Sequence, residues 1–280
     1  MKERNNVILV PVNFSDRSQK GIEIAGDLAE RWGSSVVFLH VISLPVYDGL
    51  QEEQTAYLAN LRKYSESKLE QMKSQITNQS VKVETKVVKG KAIPEILKYA
   101  SHNNVRLLVL GSKQYANMDE TLDGSSTERV IRYADCPVLT VKESYDMTQI
   151  KDIVFATDLK PTNTYITDEL RKFQEITGAT LHIVKVNTEG DWMTDTQAEK
   201  EFEAFNGVHK FKGIKFTNTN AESVEDGILS YAKKIEADMI AMSTHTMNKM
   251  PVGINRYFIT EKIMQGMPKL LWTCVPKGTY

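Results

Sequence analysis

The sequence predicts an α/β protein made of two tandem copies of one unit, each a five-stranded, mostly parallel sheet with helices on both faces. Three observations predict it. Short apolar runs rich in branched residues alternate with longer stretches whose apolar residues recur at helical spacing, as for strands buried on both faces with helices between them. A shift of 145 residues carries Asn13 onto Asp158 and Val41 onto Val186, and a shift of 132 carries EILKYA (95–100) onto GILSYA (227–232) and VRLLVLGS (105–112) onto ADMIAMST (237–244). Each copy also ends in a strand, a loop, a helix and a last strand. A repeat this long means two domains rather than a solenoid, placed at 1–145 and 148–280 with the boundary near Tyr145 to Thr148.

Taken in order, residues 7–12 form a buried-strand run that ends in Pro11-Val12-Asn13-Phe14-Ser15. Ser15 or Asp16 can cap the helix that follows, whose apolar positions are Ile22, Ala25, Leu28, Ala29 and Trp32, and Gly33 stops it. Residues 36–42 make the second strand, so the chain opens with a right-handed βαβ unit. A connection over 45–54 leads to a long charged helix with Leu58, Leu61, Leu69, Met72 and Ile76 on one stripe. Val81, Val83, Thr85 and Val87 then alternate with Lys82, Glu84 and Lys86, the pattern of a more exposed strand at a sheet edge. Pro94 fits the first turn of a helix carrying Ile96, Leu97 and Ala100.

Residues 105–141 are built to hold an anion. The strand 105–110 ends at Gly111, and after a polar loop Gly124-Ser125-Ser126-Thr127 precedes a helix with Glu128, Val130, Ile131 and Ala134 on its apolar stripe. Free N–H groups and the positive end of the helix dipole gather at such a helix start, and small residues let a phosphate approach. Residues 136–141 close the copy as its fifth strand. The second copy repeats the plan at 151–159, 178–186, 227–232, 237–244 and 270–275, with a weaker helix around 198–205.

Composition narrows the function classes. A formal net charge of -1 and a pI near 6.5 supply no broad footprint for nucleic acid or anionic membrane. No run approaches a membrane span, and the opening MKERNN leads directly into a strand, so a cytoplasmic protein is expected. Cys136 and Cys274 sit in apolar runs and read as core. The five histidines show no ligand spacing. Gly21 and Gly26 mimic a P-loop, but Asp27 stands where Lys is needed.

The motif, the repeat and the element order together resemble the universal stress protein family, a Rossmann-like fold of the adenine nucleotide alpha hydrolase kind. Its motif is Gly, two residues, Gly, nine residues, Gly, then Ser or Thr. The first copy keeps that frame as Gly111, Ser112-Lys113, Gln114, nine residues, Gly124-Ser125. The resemblance implies an ATP-like adenine nucleotide with Pro11, Val12 and Asn13 on its ribose and adenine side, and backbone contacts to adenine from Val41. Gly111, Ser112, Gln114, Gly124, Ser125 and Ser126 would meet the phosphates, with Mg2+ as a further expected ligand there. Asn13 departs from the usual Asp and Gln114 from a Gly, while Lys113 can either reach a phosphate or point into water. In the second copy Ser243, Thr246 and Arg256-Tyr257 replace the small residues, so no phosphate cradle is expected. A Lys185–Asp158 pair is one option there.

The resemblance also implies a regulatory rather than catalytic protein, a covalent pseudo-dimer that associates further into a homo-oligomer and meets a regulatory protein partner. An interaction scaffold without nucleotide is the alternative. An adenylating or pyrophosphatase enzyme would want a glycine-rich loop after the first strand, where this chain reads NFSDRS.

Overall fold

The computed structural model describes residues 6–43, 51–112, 126–160, 164–244 and 259–275. The chain divides into two compact units, Met1–Lys113 with Ala134–Ser144, and Gln114–Tyr133 with Tyr145–Tyr280.

In the first unit the strands are β1 (Val7–Pro11), β2 (Ser35–Ile42), β3 (Val83–Lys89), β4 (Leu107–Gly111) and β5 (Val138–Val141). The helices between them along the chain are α1 (Asp16–Trp32), α2 (Gln51–Lys73), α3 (Ala92–His102) and α4 (Ser126–Tyr133), the last grouping with the second unit. The strand order is β3-β2-β1-β4-β5, and each described pairing is parallel. The chain therefore moves outward from β1 through β2 to β3, then crosses back to β4 on the other side of β1. Right-handed crossovers put α1 and α2 on one face and α3 on the other. α1 buries Ile22, Ala25, Leu28 and Ala29, and stops at Gly33, whose φ of 59° lets its N–H return to Ala29 and Glu30 carbonyls. α2 begins earlier than its apolar stripe suggests. β3 is the partly exposed edge that its alternation implies.

The second unit repeats this plan. Its strands are β6 (Asp152–Ala156), β7 (Thr180–Asn187), β8 (Ile214–Asn220), β9 (Met239–Ser243) and β10 (Leu270–Cys274), with helices α5 (Thr164–Thr177), α6 (Asp195–His209), α7 (Val224–Lys234) and α8 (Ile259–Gly266). The order is β10-β9-β6-β7-β8. Even the register is copied: Val7 faces Ser35 and Asp152 faces Thr180, while Ile8 faces Leu107 and Ile153 faces Met239. Backbone strain recurs with the same shifts, because Phe14 and Leu159 (φ 62° and 61°) and Asn104 and Glu236 (φ 49° and 53°) all hold left-handed conformations. Side chains have diverged where backbone has not.

One divergent side chain has a measurable consequence. His209 ends α6, is 4% exposed, and approaches Thr167 Oγ1 with its Nδ1 at 2.8 Å. Because Thr167 already donates to the Thr164 carbonyl, His209 Nδ1 carries the proton, leaving Nε2 buried with no partner among the described residues. Burial, together with Arg171 and against Asp168, holds the imidazole below its ordinary value. The unfolded histidine, with a pKa near 6.5, therefore takes up a proton before the folded one does, and stability falls as pH drops below about 6.5. The loss of urea midpoint between pH 7.5 and pH 5.5 is expected to be smaller in His209→Phe than in the wild type. Equal losses would refute the assignment.

Candidate functional site

In an open parallel sheet the crevice lies beyond the carboxyl ends of the strands, where the order reverses. Here that point is between β1 and β4, and the residues that reach it follow from the register. Pro11 is the last residue of β1, facing Leu39. Val12, 3% exposed, makes the last rung to β2 by donating its N–H to the Leu39 carbonyl at 2.8 Å. Peptide groups alternate sides along a strand, so those of Val41 point the same way as those of Leu39, past the end of β1. The Ile42 carbonyl, one residue on, points the other way and takes the Gly90 N–H at 3.1 Å.

Asn13 is exposed at this rim and also organises it. Its Oδ1 accepts from the Ser15 hydroxyl at 2.6 Å and from the Ser15 N–H at 3.2 Å, which fixes the oxygen inward and directs the Nδ2 donor elsewhere. Ser15 is the N-cap of α1, but its own side chain makes no cap bond. Between them Phe14 is left-handed and lays its ring against His40, with centroids 4.3 Å apart. His40 Nδ1 lies 2.7 Å from the Val12 carbonyl, which can only accept, so Nδ1 carries the proton. The histidine thus fastens the end of β1 to β2. Its role was not legible in the sequence, where His40 reads as an ordinary core or surface residue.

Across the switch point, β4 ends at Gly111, directly under the first turn of α1. A Cβ at Gly111 would stand 1.9 Å from the Arg17 carbonyl oxygen. The glycine is required by backbone packing, whatever else it meets. Ser112 is 3% exposed and gives its N–H to the Val141 carbonyl at 2.8 Å, so the sheet takes that donor. Gln114, Gly124 and Ser125 lie outside the described residues. Ser126 opens α4, and its side chain also lies outside what is described. The structure therefore brings together Pro11, Val12, Asn13, Val41, Gly111 and Ser112 of the expected set. Among the described residues, no group of three or more His, Cys, Asp or Glu side chains gathers as a metal site, and no helix is long and apolar enough to cross a membrane.

The corresponding rim of the second unit is filled by its own side chains. Lys185 stands where the repeat puts His40, is 2% exposed, and donates from Nζ to the Val186 carbonyl at 3.1 Å and to Asp191 Oδ2 at 2.7 Å. Asp158 instead pairs with Lys160 at 3.3 Å, so the Lys185–Asp158 pair is not formed. Asn187, 2% exposed, bonds the Met193 N–H and carbonyl and so holds the 188–193 turn against the end of β7.

Comparisons with known proteins bear on the fold and the family. Residues 5–142 match the model of the universal stress protein family. A universal stress protein of Methanocaldococcus jannaschii is 29% identical over 138 residues, 49% of this chain and 81% of the relative. One of Bacillus subtilis is 27% identical over 146 residues, 49% of this chain and 99% of the relative. The crystal structure of a universal stress protein from Archaeoglobus fulgidus superposes with a TM-score of 0.77 at 22% identity, over 98% of this chain and 99% of that one. At that identity the likeness establishes the fold of both halves.

Proposed function

Because this chain belongs to the universal stress protein family, we propose that its first unit holds one adenine nucleotide at the β1/β4 switch point and acts as a regulatory module, while its second unit holds none. The observation that carries the reading is the pair of peptide groups at Val41, carried by the register past the last β1 rung and beside the exposed Asn13. A purine needs a backbone donor and acceptor side by side at its edge, and a ribose needs a short polar side chain nearby. With Asn13 Oδ1 held by Ser15, the amide offers the sugar its Nδ2 donor. Phosphates extend toward Gly111 at the end of β4, and in sequence Gly124, Ser125 and Ser126 are the small residues expected to meet them. Mg2+ would be held chiefly by the nucleotide itself, since Asn13 lacks the carboxylate that would add a protein ligand.

The second unit supports the asymmetry. There the carbonyl of Val186, the counterpart of Val41, is already bonded by the Lys185 ammonium, so a donor from the chain itself stands where a base amine would. The unit serves as the intramolecular partner of the first. Binding, with a change in protein partner or oligomer on occupancy, is the proposed activity; catalysis beyond slow hydrolysis is not part of it.

Calorimetric titration of protein stripped by unfolding and refolding, with ATP and Mg2+, is expected to give about one site per chain, lost in Gly124→Asp. Absence of heat, with no nucleotide released from the protein as purified, would overturn the reading and leave an interaction scaffold.

A further inference from the structure

At the end of the first unit opposite the β1/β4 rim lies a cavity of about 440 Å³, a volume within the range of small-molecule sites. It sits at the amino ends of β1, β2 and β3, where α1 stops. Val7, Ala29 and Val81 give it an apolar side, and Ser34, Ser35 and Ser80 a polar one. These walls are tied together by the chain's own hydrogen bonds. Ser34 returns its N–H to the Ala29 carbonyl at 2.8 Å, Ser35 gives its own to the Asn6 carbonyl at 2.9 Å, and Val36 donates to the Lys82 carbonyl at 2.8 Å. Asn6 Nδ2 donates to the Gly33 carbonyl at 2.7 Å, while its Oδ1 accepts from the Ser34 hydroxyl at 2.6 Å and from Arg106 at 2.9 Å. A guest therefore meets a site whose ordering is already complete.

The second unit shows what closes such a space. The repeat carries Ala29 onto Gln174, and the registers that face Val36 with Val83 and Leu181 with Ile214 carry Ser80 onto Phe211 and Lys82 onto Gly213. Gln174 is buried and bridges the gap, donating from Nε2 to the carbonyls of Ala179 and Lys212 at 3.1 and 2.6 Å, and Phe211 is buried beside it in sequence. Ala29 has no side chain to make that bridge, and Ser80 cannot fill the place of a phenyl ring. Charge then selects the guest. Of the two charged residues in the lining, Lys82 already pairs with Glu84 at 2.7 Å, whereas Glu30 has no ion pair or side-chain hydrogen bond among the described residues. Glu30 stands in the last turn of α1, whose carbonyl end favours a cation. Arg31 of the same turn is not part of the lining, and Arg106 is drawn over the Trp32 ring, 4.4 Å from its centroid.

We propose that this cavity binds a small organic cation, a primary ammonium on a hydroxylated body, with the ammonium at Glu30 and the hydroxyls on Ser35 and Ser80. The carboxylate takes the charge and Val7, Ala29 and Val81 cover the carbon skeleton. The site does not rest on nucleotide binding, which belongs to the carboxyl ends of the strands.

Amide chemical-shift titration of the isotopically labelled full chain tests it with three linear six-carbon polyols that differ in charge at one end: glucamine, sorbitol and gluconate. Glucamine is expected to bind saturably and to shift the amides of 33–36 and 80–82. Sorbitol should bind at least about tenfold more weakly, as the loss of a charge-assisted hydrogen bond requires. Glu30→Gln is expected to reduce glucamine to the level of sorbitol, and Ala29→Gln, which copies the second unit, to abolish binding at an unchanged urea midpoint. Absence of saturable glucamine binding, equal binding of sorbitol, or shifts centred on the Asn13 rim would overturn the proposal. So would a preference for gluconate, which would assign the cavity to an anion on Lys82, or undiminished binding in Ala29→Gln. If Ala29→Gln failed to fold, Glu30→Gln and the three polyols would decide alone.

Discussion

Gly111→Ala is expected to destabilise the first unit by about 3 kcal/mol, read as a lower urea midpoint at unchanged slope. The added Cβ would meet the Arg17 carbonyl at 1.9 Å from its oxygen and 2.4 Å from its carbon. Both atoms are backbone, so no rotamer change relieves the contact. Either β4 or the first turn of α1 must move, and the carbonyl concerned belongs to the turn that Asn13 and Ser15 organise. Gly21 on the facing side of α1 supplies the contrast. A Cβ there would lie 3.6 Å from the Gly111 nitrogen, an ordinary contact, and alanine favours a helix interior over glycine by about 0.5–1 kcal/mol. Gly21→Ala is therefore expected to be neutral or stabilising. A Gly111→Ala protein as stable as wild type would show that the close approach is relaxed in solution. The role of Gly111 in packing also governs how binding data are interpreted. Loss of nucleotide affinity in Gly111 variants would follow from displacement of α1 and would not by itself demonstrate a phosphate contact.

The same residues show why the fold was more legible than the site. Strand and helix order rests on periodicity, which a chain must keep in order to bury a parallel sheet, and the two shifts of the repeat reappear as copied registers. β8 is the weak point: IKFTNTN is half-exposed, rich in Thr and Asn, and lacks the branched apolar run that marks the buried strands. At the site, small residues in a spaced motif were legible, whereas the contacts that shape it were not. The left-handed Phe14 stacked on His40 and the Ser15 hydroxyl turned to Asn13 depend on backbone angles that have no residue-type signature there. Lys185 is similar. Pairing it with Asp158 follows the repeat, but the 188–193 turn brings Asp191 back over the strand end and takes the ammonium instead. Long-range pairing is set by loop conformation, and six residues of loop carry too little pattern to foretell it.

Asp238→Ala is expected to cost the second unit about 3 kcal/mol at pH 7, because several donors converge on this one buried carboxylate. Its oxygens accept the N–H groups of Lys151 and Asp152 at 2.8 and 3.2 Å, the Tyr145 hydroxyl at 2.7 Å and the Lys269 ammonium at 3.0 Å. Tyr145 ends the first half in the sequence repeat, yet its hydroxyl is tied to Asp238, and Lys269 Nζ lies 4.6 Å from its ring centroid. The carboxylate thus secures the chain entering β6 to the start of β9. Burial alone would raise its pKa, but the Lys151 N–H, with the Tyr145 hydroxyl, Lys269 and the Asp152 N–H, outweighs burial and holds it below the ordinary value. Its stabilisation is therefore complete above the unfolded pKa of about 3.9 and is lost as pH falls through the lower folded value. Urea unfolding of wild type and Asp238→Ala should show a gap that is widest near neutrality and narrows below about pH 4. Tyr145→Phe, which removes one donor and leaves the carboxylate satisfied by three, should cost about 1 kcal/mol. A gap that stayed constant with pH would mean that Asp238 contributes through packing alone, and a Tyr145 effect as large as that of Asp238 would move the centre of this cluster from the carboxylate to the ring.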